Sequence, residues 1–285
     1  GRRNCWSAAM NRNLGDAAQF GGPRGLKPAA LGTLVVTLFL VGLTSCATLP
    51  PNERQQLIDA SRQYHAGNTG PAASTLDRLI RDYGQTAEIA EAYYIRGLCR
   101  FKAQQTQAAG DDFEQGLAKS KRDDLTARCR ASLAAIAFQK GEWKKAADLY
   151  GRSVNYLPDV APTDAALYAA GISMQRAGEW NKANTQFARI LHRFRNSPVA
   201  GDARRLALWR HPYFSLQLGA YKDAENAGKA VQTLRQNGFD ASQEYMPRNG
   251  QTLWIVMAGR YQTYDDARVA LGRARQRQPQ ASIVP

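Results

Sequence analysis

Four positions spaced 37 residues apart, Gly67, Gln104, Gly141 and Gly178, frame the middle of this chain. Five residues after each stands an alanine: Ala72, Ala109, Ala146 and Ala183. Nine after stand Leu76, Phe113, Tyr150 and Phe187, and thirteen after stand Ile80, Leu117, Val154 and Leu191. Seven before stand Ala60, Gly97, Ala134 and Gly171. One register serves all four copies, the mark of an array whose units bury their apolar faces on each other. Small residues on both sides of the frame position let two helices cross closely, and the bulky residue nine on fills the gap beside them. The glycine or polar residue at the frame position ends the first helix and turns the chain.

"QKGEWKKAADLYGRSVNYLPD" and "QRAGEWNKANTQFARILHRF" resemble the tetratricopeptide repeat, with glycine, Trp143 or Trp180, alanine and an aromatic in order, and Pro158 closing the third copy. The resemblance implies a superhelix of helix pairs over residues 52–210, with a concave face that holds a peptide or a helix of a protein partner. A rigid spacer is the competing reading, although solenoid surfaces commonly serve recognition. "NSPVAGDARRLALW" predicts a last, solvent-capping helix with Ser197 as N-cap and Pro198 as its first residue.

Beyond residue 213 the period changes from helical to alternating. In "FSLQLGAY", Phe214, Leu216 and Leu218 fall on one side, and Tyr213, Ser215 and Gln217 on the other. A helix ending at Gly238, strands in "FDASQEYM" and "QTLWIVMAG", a second helix in "YDDARVALGRARQRQ" and a short strand in "ASIVP" follow. Glycine and aromatic recur forty residues apart, Gly219 with Gly259 and Tyr221 with Tyr261, as do Ala227 and Ala267. The predicted fold class is therefore α+β multidomain: an all-α solenoid followed by a βαββαβ ferredoxin-like module, an antiparallel sheet with both helices on one face.

"LQLGAY…NA…L…G…IVMAGRY…DA" resembles the SPOR domain over residues 213–285. That resemblance implies binding of peptidoglycan glycan strands that have lost their stem peptides, on the open face of the sheet. Carried over by position, Gln217 matches the first-strand glutamine, and the candidate glycan ligands are Tyr213, Ser215, Gln217, Ile255, Met257 and Arg260. The chain departs from the family at Trp254-Ile255-Val256, where an arginine commonly stands in place of Ile255. Arg260 or Arg248 is then the candidate partner of a lactyl carboxylate. The stripe Leu253, Ile255, Met257 becomes a sugar-packing surface or a protein contact, because exposed apolar stripes rarely lack a partner.

The first 45 residues read differently again. Arg2, Arg3, Arg12, Arg24 and Lys27 precede the apolar run "AALGTLVVTLFLVGL", the pattern of an export signal. "LTSC" then resembles the lipobox of bacterial lipoproteins, with Cys46 as the lipidated residue and 46–51 as a tether. An uncleaved membrane anchor is the alternative. Ala47, where an aspartate signals inner-membrane retention, points to the outer membrane, facing the periplasm. The formal charge of +14 favours anionic partners. Export argues against nucleic acid, and so does the chemistry: an RNA-binding sheet stacks bases on central aromatics, where this chain has Ser215, Gln217, Ile255 and Met257.

Cys99 and Cys129 lack metal-ligand spacing and read as buried thiols, with a disulfide between them as the alternative, and His65, His192 and His211 have no second histidine at ligand spacing. The pairs Asp111-Asp112, Asp123-Asp124 and Asp265-Asp266 read as residues of helix starts or turns complementing the dipole rather than as acid–base pairs. No nucleophile elbow, phosphate loop or HExxH stands in the chain, so neither a catalytic site, a metal nor a cofactor is expected. Taken together, the features predict a non-enzymatic envelope lipoprotein of cell division or wall remodelling. A scaffold for outer-membrane protein assembly is the alternative, because "LHRFRNSPVAGDARRLA" resembles a phrase of such lipoproteins.

Overall fold

All four frame positions adopt the left-handed backbone, with φ of 87° at Gly67, 63° at Gln104, 77° at Gly141 and 86° at Gly178. Gln104 is the one non-glycine residue with positive φ among those described. The computed structural model describes residues 48–285 apart from Ala87, Arg210, Asn249 and Gly250. The leader, Cys46 and the start of the tether lie outside the described residues.

Each left-handed turn joins two helices: α1 (Pro51–His65) to α2 (Thr69–Tyr83), α3 (Ile89–Lys102) to α4 (Thr106–Lys119), α5 (Asp123–Lys140) to α6 (Trp143–Gly151), and α7 (Thr163–Arg176) to α8 (Trp180–Arg193). Ala72, Ala109, Ala146 and Ala183 are fully buried, as are Leu76, Phe113, Tyr150 and Phe187 to within 1%. The glycines seven residues before the turn have a specific reason. A Cβ on Gly97 would stand 2.6 Å from Cε1 of Phe113, and one on Gly171 would overlap the Phe187 ring. Glycine therefore accompanies phenylalanine in these two copies, whereas alanine accompanies Leu76 in the first copy and Tyr150 in the third. The residue thirteen after the turn contributes less: Val154 is buried, but Ile80, Leu117 and Leu191 are half-buried.

The described residues form two compact units. The first runs to Ser132 and includes Tyr156–Pro162; the second holds Leu133–Asn155 and Thr163–Pro285. Within the first, Asp112 is neither at a helix start nor in a turn between helices, as expected of its pair, but within α4, at its seventh residue. It is 2% exposed and bonded by Arg96 through Nη2 at 2.5 Å and Nε at 3.0 Å, and by Arg100 at 3.0 Å. The role is structural, but it is a buried ion cluster rather than a dipole effect. Asp123 and Asp124, by contrast, do open α5, and Asp265 and Asp266 open a later helix. Cys99 and Cys129 are free and buried.

In the second unit, α9 (Ala200–Ala207) closes the repeats and begins two residues later than Ser197 and Pro198 predict. The Ser197 hydroxyl still accepts the Val199 N–H at 3.2 Å, but it donates to Asp164 at 2.5 Å, which ties the turn to α7. Next come β1 (Phe214–Tyr221), α10 (Ala224–Gln236), β2 (Ala241–Arg248), β3 (Gln251–Tyr261), α11 (Tyr264–Ala274) and β4 (Ser282–Val284). The antiparallel sheet has the order β2-β3-β1-β4. Leu216, Leu218, Val256 and Ala258 share one core with Ala227, Val231, Leu234 and Ala274 of the helices.

The forty-residue recurrence has a packing cause. A Cβ on Gly219 would lie 2.7 Å from Cε2 of Tyr221, so each tyrosine folds back over the glycine two residues before it, as Tyr261 does over Gly259. Asp223 caps α10 by accepting the Asn226 N–H at 2.8 Å, and Thr263 caps α11 by accepting that of Asp266 at 3.2 Å. Arg235 Nε donates to Ala241 O at 2.8 Å, and Arg275 Nε to Ala281 O at 3.1 Å, fixing the exit of each helix into the next strand.

Candidate functional site

The face of the sheet away from α10 and α11 carries the candidate glycan residues. Gln217 sits at the centre of β1, in register with Met257 on β3 and Ser282 on β4, and is half-buried. Beside it the expectation of an open face fails. Ile255 is 0% exposed, Met257 6% and Ser215 3%. Ile255 and Met257 form a small apolar core with Val284, closed by Met246, Leu253 and Trp209. Trp209 comes from the stretch that joins α9 to β1, and its indole Nε1 is buried without a hydrogen-bond partner. The Ser215 hydroxyl donates to Gly259 O at 2.8 Å, so the sheet itself employs it. The reason is apolar: with isoleucine at 255 the face presents hydrocarbon, and hydrocarbon is covered.

The rim of this face is polar. His211 Nε2 lies 3.1 Å from one oxygen of Glu244 and 3.4 Å from the other. The His211 ring stacks on Tyr213 with centroids 5.1 Å apart and planes 25° from parallel. The guanidinium of Arg260, itself exposed, stands 5.3 Å from the Tyr213 centroid. The structure thus brings Tyr213 and Arg260 together at one edge, Gln217 at the centre, and Ser215, Ile255 and Met257 beneath the surface. The backbone of Arg248 ends β2, opposite Gln251.

Sequence reasoning missed Trp209, His211 and Glu244. It also read Trp143 and Trp180 as repeat residues only. In the second unit Trp180 packs on Phe214 of β1 with centroids 4.8 Å apart and donates through Nε1 to Gln262 O at 3.4 Å. Gln262 Nε2 donates in return to Gly178 O at 3.3 Å. Arg176 is held between the Trp143 ring at 4.1 Å and the Tyr264 ring at 4.4 Å, and burial lowers its affinity for the proton. The signal was available: the equivalent positions of the first two copies hold Thr69 and Thr106.

Among the described residues no group of three His, Cys, Asp or Glu side chains is placed to hold a metal ion, and no helix is long and apolar enough to cross a membrane. No curated protein matches the chain. No enzyme family is indicated, and both families that do match are binding modules. Residues 165–197, within α7 and α8 and the turn after them, match the tetratricopeptide repeat, and residues 211–285 match the SPOR domain.

Proposed function

We propose that the chain is a non-enzymatic cell-envelope protein that binds peptidoglycan glycan stripped of stem peptides on its sheet face. The observation that carries this is the grouping of Gln217, Tyr213 and Arg260 on one face of a module matching the SPOR domain. The glutamine amide both donates to and accepts from sugar hydroxyls or an N-acetyl group. Arg260 supplies a cation for the lactyl carboxylate in the absence of an arginine at 255. The repeats recruit a protein partner, and lipid on Cys46 fixes the chain to the periplasmic face of the outer membrane. Each attachment raises the effective concentration of the next, so weak contacts suffice for a role in cell division or wall remodelling.

Co-sedimentation of the chain with sacculi, treated or untreated with an amidase that removes stem peptides, tests the glycan reading. Stronger binding to the treated wall is expected, weakened by Gln217→Ala and made less salt-dependent by Arg260→Ala. Equal binding to both preparations refutes recognition of stripped glycan. The apolar set Leu253, Ile255, Met257 and Val284 favours the second reading, a SPOR fold used for protein contact in an outer-membrane assembly scaffold. That reading gains if neither wall preparation retains the chain.

A further inference from the structure

Trp209 and His211 lie outside every expected ligand set, yet Trp209, with Met246 and Leu253 of the sheet itself, closes the glycan face, and His211 ties the same stretch to its rim. Trp209 covers Ile255, Met257 and Val284, and His211 is tied to Glu244 of β2. We propose that these two residues form a strap that holds the sheet face shut, and that glycan binds when the strap lifts. The inference rests on the glycan reading for its ligand, but the strap itself rests on packing.

The strap is built to be released. The Trp209 indole N–H, like that of Trp143, is buried without a hydrogen bond, a cost that is recovered when the strap lifts and water reaches it. His211 and Glu244 are each about a third exposed, so water competes for their pairing. Leu208, next to Trp209, is 73% exposed and gives the strap no apolar anchor on that side. Among the described residues this segment is held by side-chain contacts, Trp209 against the Ile255 and Phe214 clusters and His211 against Tyr213 and Glu244, and not by the strand ladder. Such contacts place it toward the low-stability end of a fold, where ligand-gating elements are found.

What it covers matches what a sugar needs. Lifting Trp209 bares the apolar set Ile255, Met257 and Val284, against which the C–H face of a pyranose ring packs. Moving His211 breaks its stack on Tyr213 and frees that ring, with Arg260 beside it, for the polar edge of the same ligand. The ligand thus replaces each strap contact with one of its own kind. If the face is open in about a tenth of molecules, the apparent affinity is reduced about tenfold, and removing the strap restores it.

The test uses the full chain, its Trp209→Ala variant and its Glu244→Gln variant. Met257 reports opening, because dilute peroxide oxidises an exposed thioether far faster than a buried one, and peptide mass spectrometry reads the rate. Met174, 2% exposed in α7, serves as the control for global unfolding. Trp209→Ala is expected to speed Met257 oxidation about tenfold with Met174 unchanged, and to raise affinity for amidase-treated sacculi several-fold to tenfold. Glu244→Gln is expected to move both in the same direction by less. If Trp209→Ala also exposes Met174, the Glu244→Gln chain decides alone. Unchanged Met257 oxidation in the folded variants overturns the strap. Lost sacculus binding in Trp209→Ala also overturns it, by making the indole part of the groove. Faster Met257 oxidation with no binding of any chain to either wall upholds the strap and refutes the glycan reading.

Discussion

The first two repeats and the last two bury the same residues at the same register, and differ two positions past the turn. Thr69 and Thr106 stand where Trp143 and Trp180 stand. The alanine five past the turn is fully buried in all four, so helix pairing does not separate them. Docking does. Trp180 lies on Phe214, and Trp143 meets Tyr264 edge-on with centroids 6.0 Å apart, so the later pair carries the sheet module. A repeat's period thus encodes its stacking, and the positions that escape the period encode what the stack holds.

Two substitutions should break that comparison most severely. Trp180→Ala empties a buried site shared by α8 and β1, at a cost of about 3–5 kcal/mol, whereas Thr106→Ala should stay within about 0.5 kcal/mol. Denaturant titration followed by hydrogen exchange should show α7, α8 and β1 losing protection together in the tryptophan variant. A sheet that kept full protection would mean that Trp180 serves its repeat alone. In the first unit the counterpart is Asp112→Ala, which leaves Arg96, 12% exposed, and Arg100 with the half-exposed Asp77 as their remaining partner, at 2.7 and 3.6 Å. Leaving a buried cation wholly unpaired costs about 3–5 kcal/mol; with Asp77 still in place the loss should be about 1–3 kcal/mol, and the protection lost should be that of α3 and α4. A loss below about 1 kcal/mol would show that water reaches the cluster.

Much of this was legible in the residues, for physical reasons. The spacing of 67, 104, 141 and 178 found all four left-handed turns, because a helix hairpin requires one at the same place in each copy. Strict alternation located β1, and the glycine–aromatic recurrence located the two helices. The covered face was not legible. Ile255 and Met257 obey the alternation that marks an outward face, and period alone cannot tell solvent from a tryptophan arriving from outside the module. Nor do Arg235 and Arg275 announce their bonds to Ala241 O and Ala281 O, since a guanidinium reaching a carbonyl leaves no periodic trace. Gln217, a single polar residue on a strand, is a candidate only through resemblance.

The two units should also part company in alkali. Burial pushes the Cys99 thiol up to about 11 and the Cys129 thiol up to about 12, both in the first unit, while the second has no described cysteine. A thiol whose folded pKa is raised lends its full stability below the unfolded value near 9 and loses it as pH climbs toward the folded one. Between about pH 9 and pH 10 the first unit should therefore lose about 1 kcal/mol per thiol, or about 2 kcal/mol in all. In the second unit the raised groups are tyrosines, Tyr168 being pushed by burial up to about 12 from 10, so its decline should begin about one pH unit later. Hydrogen exchange at stepped pH measures both, and Cys99→Ala with Cys129→Ala should flatten the first response. A first unit that still declined between about pH 9 and pH 10 in the doubly substituted chain would refute the assignment to the thiols, because the buried tyrosines raised there, Tyr64 and Tyr94, begin to cost stability about one pH unit later.

The smallest effect isolates the turn itself. Gln104 holds φ at 63° with a side chain that glycine lacks, and non-glycine residues pay about 1–2 kcal/mol for that conformation. Gln104→Gly removes the strain but adds freedom to the unfolded chain, which returns about 0.4–1 kcal/mol of the gain. The net expectation is a stabilisation of about 0.5–1 kcal/mol, seen as a higher denaturant midpoint at unchanged slope. Gly67→Ala runs the experiment backwards: its added Cβ meets nothing within 4 Å, so a loss of about 1 kcal/mol would be backbone strain alone. Gly178→Ala has the same φ problem, and its Cβ would also sit 3.2 Å from Gln262 O, so it should cost more than Gly67→Ala by whatever the docked turn cannot yield. Equal losses at 67 and 178 would show the Gly178–Gln262 contact to be soft. A destabilising Gln104→Gly would show that the glutamine side chain, rather than the backbone, holds the second turn.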